Sequence, residues 1–168
     1  MSDSWYKVDN VAKVFLATAS QRDPRGFRIS CTLNEEIDPD TLNEALRSTA
    51  QEWPQFQVTL HRGLFWHYFE STDQLPTAQP ETKAPCAPLY TPERRNKLIY
   101  RVTYFGARIN LEMFHAITDG NGGLLYLKSI VRNYLALRHP GEMENVPSPN
   151  SASAGDMAQD SFRNFYEG

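Results

Sequence analysis

The sequence predicts an α/β domain: a two-layer sandwich with a mostly antiparallel, mixed sheet and flanking helices. Three observations lead there. Residues 38–54 carry helix start and stop signals around one apolar stripe. Residues 27–33, 56–69 and 97–114 hold alternating or paired runs of β-formers. Residues 122–138 then repeat the helical pattern, so the order is strand, helix, strands, helix.

The first strand is Phe27-Arg-Ile-Ser-Cys-Thr-Leu33, which alternates between two environments. The first helix follows at Asp38, a natural N-cap. Pro39 suits the first helical position, where its missing N–H costs nothing. Leu42, Ala45, Leu46, Thr49, Ala50 and Trp53 recur at steps of three and four, and Pro54 stops the helix. Phe56 to Leu60 and Leu64 to Phe69 read as a hairpin turning at Arg62-Gly63, a register that sets His67 opposite Val58. Lys97 to Phe105 and Arg108 to Phe114 read as a second hairpin, turning at Gly106-Ala107. Between the hairpins, five prolines in residues 74–96 favour an extended loop or edge excursion. The last helix, from about Gly122 to Arg138, presents Leu124, Leu127, Val131, Tyr134 and Leu135 on one face, and Pro140-Gly141 ends it.

Composition narrows the function. The 168 residues carry 17 Lys+Arg against 20 Asp+Glu, a net charge of −3 that argues against nucleic-acid binding. At 40% hydrophobic and 22% charged, the chain is globular rather than disordered. No run approaches the ~20 apolar residues of a membrane span, and the start has no secretory pattern. Cys31 and Cys86 have no metal-ligand spacing and read as free thiols of a cytoplasmic protein. Residues 1–140 form the lobe. Residues 141–168 read as a Pro/Ser/Gly-rich linker and a short amphipathic helix around Met157, Phe162, Phe165 and Tyr166.

Chemistry concentrates in Met113-Phe-His-Ala-Ile-Thr-Asp-Gly-Asn-Gly-Gly123, at a strand-to-helix junction. Ile109, Leu111, Met113 and His115 share one side of the strand, so the imidazole continues an apolar row. An unperturbed pKa of ~6.5 lets such a ring accept a proton near neutrality. Asp119 stands where it can cap the next helix, and the glycines permit a sharp turn or close approach. Taken alone, the pattern more often describes a hydrogen-bonded core histidine followed by an ordinary cap and turn.

His115-Ala-Ile-Thr-Asp119-Gly120 resembles the HxxxDG motif of the chloramphenicol acetyltransferase-like superfamily of CoA-dependent acyltransferases and condensation domains. The run from Phe27 through Asp38-Pro39, Leu42, Ala45-Leu46 and Trp53-Pro54 to Phe56 is similar to the family's opening strand, first helix and return strand. The likeness covers about residues 5–140 and is of the alcohol-acetyltransferase type. It implies His115 as general base, taking a proton from an acceptor hydroxyl that attacks an acyl-CoA thioester directly, with acyl-CoA as co-substrate and no permanently bound cofactor. It implies a structural role for Asp119, paired with an arginine, for which Arg22, Arg25 and Arg28 are candidates, and a turn and close packing at Gly120. Thr118, Asn121 and Gly122 are the positions that could line the channel. The family's second lobe and its Asp-Phe-Gly-Trp-Gly segment have no counterpart here, so a second lobe or second chain would complete the channel. A condensation-type domain that forms amides from carrier-bound acyl groups, and a non-catalytic acyl-binding module, are the alternative readings.

Other residues carry less. His61 and His67 are not brought together by the hairpin, so no metal site is expected. His139 reads as a surface residue at a helix end, and Cys31 as an inert strand thiol. Arg94, Arg95 and Lys97 could attract CoA phosphates, but a solvated charge run explains them as well. Phe65, Trp66, Tyr68 and Phe69 read as sheet packing, any exposed member being available to the missing lobe.

Overall fold

The computed structural model describes residues 5–149, apart from residues 9, 21–22, 65, 82–83, 92–93, 95, 144–145 and 148. In chain order the elements are β1 (Trp5–Lys7), α1 (Asn10–Thr18), β2 (Gly26–Thr32), α2 (Pro39–Glu52), β3 (Val58–Arg62), β4 (His67–Ser71), β5 (Gln79–Pro80), β6 (Tyr100–Phe105), β7 (Arg108–Phe114) and α3 (Gly120–Arg138), with a 3-10 turn at Pro54–Phe56. The expected short helix over residues 156–168 lies outside the described residues.

The predicted mixed, mostly antiparallel sheet is present with four strands, ordered β2-β7-β6-β5 and antiparallel except for the β5–β6 pair. The first hairpin does not join it. β3 and β4 form a separate antiparallel sheet with β1, linked to the segment before β6 by a single bridge, Thr59 to Leu98. Its register also differs from the expected one. Gly63 donates to the Trp66 carbonyl at 2.7 Å, closing a four-residue connection, so His67 pairs with Arg62, and Ser71 rather than His67 faces Val58.

Alternation along β7 divides the core. Ile109, Leu111 and Met113 point to α2 and α3, where Leu42, Leu46, Trp53, Tyr126 and Ile130 are buried with them. Each fully buried Leu or Ile in this layer stabilises the fold by about 1.5–3 kcal/mol. The start of α2 follows its sequence: Asp38 accepts from the Thr41 N–H at 2.8 Å, with Pro39 in the first turn. Its end is fastened to α3 by Trp53, whose Nε1 donates to the Ser129 hydroxyl at 2.9 Å and whose ring meets Tyr126 edge-on.

The opposite face of β7 turns Phe114 into a second cluster with Ala12 of α1 and Val58, Leu60 and Ile99. β1 and α1 went unpredicted, although Ala12, Phe15, Leu16 and Ala19 recur at helical spacing. All four are buried or half-buried.

Candidate functional site

The strand end that carries His115 is pinned from both sides. Phe114 N–H donates to the Ile99 carbonyl and His115 N–H to the Arg25 carbonyl, each at 3.0 Å. Ile117 N–H then returns to the Phe114 carbonyl at 3.0 Å, turning the chain toward α3. Asp119 caps that helix from extended backbone, its Oδ1 accepting from Gly122 N–H at 2.8 Å. The backbone that bears the imidazole is therefore fixed at a boundary between two rigid elements.

Two aromatic side chains pack against the ring. Phe15 of α1 stacks on it at 4.8 Å between centroids and 14° between planes, and Phe27 of β2 tilts over it at 4.5 Å and 43°. His115 is half-buried. Among the described residues, neither ring nitrogen has a hydrogen-bond partner. A core histidine serving only the fold would normally satisfy those nitrogens. Left unpartnered at a half-open site, either nitrogen can exchange a proton with a bound molecule.

Phe15 is the site residue that the sequence reading missed. Its helical stripe was the available signal. Among the glycines after Asp119, it is Gly123 that makes a close approach. A Cβ there would fall 2.7 Å from Phe27 Cε2 and 2.9 Å from Cζ, so only glycine lets α3 approach the ring that flanks His115. The close approach expected of Gly120 belongs here instead: a Cβ on Gly120 would meet nothing within 4 Å. Of the suggested channel-lining residues, Thr118 is half-buried and Asn121 exposed, whereas Gly122 is buried.

The arginine expected beside Asp119 is neither Arg25 nor Arg28. Arg25 pairs with Asp23 at 3.2 Å. Arg28 crosses to the other face of the sheet, giving its Nε to Glu112 Oε1 at 2.8 Å and Nη1 to Glu81. Arg22 lies outside the described residues.

Glu112 is the centre of this second polar group. Its Oε1 accepts from Arg28 and from the Cys86 N–H at 2.8 Å, and its Oε2 from Nε of Arg101 at 2.7 Å. Burial works to raise the Glu112 carboxyl, but these donors outweigh it and hold the group below the usual carboxylate range. Arg28 and Arg108 do the same for Glu81.

The remaining histidines are accounted for by structure. His61 stacks on Tyr68 and pairs through Nε2 with Glu70 at 2.9 Å. His67 sits in the adjacent register pair, hence on the opposite face of the hairpin, edge-on to Tyr90. His139 pairs with Glu35 at 2.9 Å. Among the described residues no group of three or more His, Cys, Asp or Glu could hold a metal, and no helix is long and apolar enough to cross a membrane. Arg94 is tied to the Leu89 carbonyl at 3.3 Å, so it is not part of a solvated run, while Lys97 is exposed. Tyr68 and Phe69 are half-buried, whereas Trp66 is 57% exposed.

No protein-family model and no curated protein matches the chain. Solved structures do. The epimerization domain from the third module of tyrocidine synthetase B superposes with a TM-score of 0.65 at 11% identity, over 88% of this chain and 37% of that one. A mutant starter condensation domain of rhizomide synthetase RzmA in complex with C8-CoA gives 0.64 at 12% identity, over 80% and 36%. Polyketide synthase associated protein 5 from Mycobacterium tuberculosis gives 0.58 at 14% identity, over 84% and 35%. The chain thus has the single-lobe fold that the motif resemblance implies, and it spans little more than a third of the length of these structures.

Proposed function

We propose that the chain is one lobe of a CoA-dependent O-acyltransferase in which His115 is the general base. The observation that carries this reading is the half-buried His115 ring, clasped by Phe15 and Phe27 with no polar partner among the described residues. In the reaction, a ring nitrogen takes the proton of an acceptor hydroxyl as its oxygen attacks the thioester carbonyl carbon. The tetrahedral adduct collapses with cleavage of the carbon–sulfur bond, and the imidazolium returns its proton to the departing thiolate. No acyl-enzyme is formed. Phe15 and Phe27 orient the imidazole and shield it from bulk water. Asp119 holds the loop by capping α3, and Thr118 and Asn121 flank the opening. The oxyanion donors belong to a second lobe or chain, a reading supported by the 35–38% coverage of the first structures compared.

His115→Ala in the full-length protein tests the assignment with acetyl-CoA and a simple alcohol. Transfer should fall by ~10²–10⁴, the usual contribution of a positioned base. Near-normal turnover removes His115 from the chemistry. The names of the neighbours favour a second reading, amide formation by a condensation-type domain. Under it, an amine acceptor and a carrier-bound donor would outperform an alcohol and free CoA.

A further inference from the structure

A cavity of ≈740 Å³ opens beside the motif loop, and neither the sequence reading nor the reaction above uses it. Its apolar wall includes Val58, Phe69, Leu75 and Ile117, and the one charged group among its described lining residues is the carboxylate of Asp73. Ile117 stands two residues after His115. Gln57, also in the lining, donates its amide to the Tyr100 hydroxyl at 2.8 Å, and Tyr100 pairs in register with Met113, two residues before His115. The cavity therefore lies at the same sheet end as the imidazole, approached from the β6 side, whereas Phe27 reaches the ring from the β2 side.

The lining dictates the ligand class. Among the described residues the lining has no Lys, Arg or His to hold a phosphate, which disfavours a nucleotide. Its volume falls within the range of small-molecule sites, and apolar walls of this kind favour hydrocarbon. Leu75 is 53% exposed, apolar surface that an occupant would cover. We propose that this cavity holds the hydrocarbon chain of a substrate whose reacting group lies at His115. The inference rests on the acyl-transfer reading; the chain could arrive on the acyl donor or on the acceptor alcohol.

Ser71 and Gln55 are exposed lining residues, so Ser71→Trp and Gln55→Trp should fill the cavity without disturbing the core. Thermal melts identify the folded variants. In the full-length protein, one series varies straight-chain acyl-CoA donors from two to eight carbons with one alcohol. The other varies straight-chain alcohols over the same lengths with acetyl-CoA. In one series kcat/KM should rise with chain length, by up to about fourfold for each fully buried methylene, and the folded tryptophan variants should flatten that rise. The series that flattens names the source of the chain. Flat wild-type profiles in both, or slopes that survive both substitutions, overturn the inference and leave the acyl-transfer reading standing. If no donor is turned over, that reading fails by itself. Equilibrium binding of octanoyl-CoA and of octanol then judges the cavity: weaker binding of either by Ser71→Trp supports it, and equal or absent binding overturns it.

Discussion

Glu112 of β7 and His115 just beyond it are ionisable side chains three positions apart, and the fold treats them in opposite ways. Glu112, in mid-strand, is 1% exposed and takes hydrogen bonds from two arginines and a backbone amide. His115, just past the strand end, is half-buried, and among the described residues its ring packs on Phe15 and Phe27 with no hydrogen-bond partner at either nitrogen. A buried carboxylate without donors would be costly, so the sheet face around Glu112 is saturated with them. The His115 nitrogens, without a partner among the described residues, stay available to a bound molecule. The difference separates a polar group that maintains the fold from the one that the proposed acyl transfer uses.

The largest effect expected from this contrast is in stability. Glu112→Ala leaves Arg101 without its carboxylate and Arg28 with Glu81 alone, and breaking a buried pair of this kind costs about 3–5 kcal/mol. His115→Ala removes two aromatic contacts, worth about 0.5–1.5 kcal/mol each. Urea unfolding of the two variants should therefore rank them opposite to their activities. A Glu112→Ala protein as stable as wild type would end the distinction.

A second, smaller effect follows from the direction of the Glu112 shift. Burial opposes ionisation there, yet Cys86 N–H, Arg101 and Arg28 hold the folded-state value below the unfolded one. The stabilisation is thus complete above the ordinary carboxylate range near pH ~4.3 and is lost as pH falls through the depressed folded value. Glu112→Gln should remove part of the acid sensitivity of the unfolding midpoint while lowering stability at neutral pH. Glu81, depressed by Arg108 and Arg28, keeps the remainder. An unchanged pH profile would mean that Glu112 titrates alike in both states.

The two sites were unequally legible in the sequence. His115 and Asp119 lie in one short local motif, and a cap depends on residues within a turn of each other. α2 was readable for the same reason, with Asp38, Pro39, the apolar stripe and Pro54 all local. The Glu112 cluster gathers Arg28, Glu81, Cys86 and Arg101 from separate segments, and no spacing encodes such a meeting. Phe15 and Gly123 belong to the histidine site only through tertiary contact. The β3–β4 register slipped because the hydrophobic pattern fixes which face a residue takes more firmly than the length of the connecting turn.

Gly123→Ala probes the clasp around the ring. The added methyl meets Phe27 at 2.7 Å and must displace it. Overpacking costs about 1–3 kcal/mol, while helix propensity returns about 1 kcal/mol. The melting temperature should move little. If Phe27 orients His115, kcat should drop by more than the stability change implies. Full activity in this variant would show that the ring needs no such support.

The smallest effect separates cap from charge at the end of the motif. Asp119 and Asp38 are N-caps of the same kind, each accepting one backbone N–H at 2.8 Å. Replacing either with Ala should cost about 1 kcal/mol, but only Asp119→Ala should lower acyl transfer, because only that helix start holds the His115 loop. Asp119→Asn refines the point. Asn caps as well as Asp but carries no charge, so retained activity means that Asp119 works through the Gly122 amide. Activity lost in Asp119→Asn to the same degree as in Asp119→Ala would instead require an ion pair with a cation outside the described residues, with Arg22 the first position to substitute.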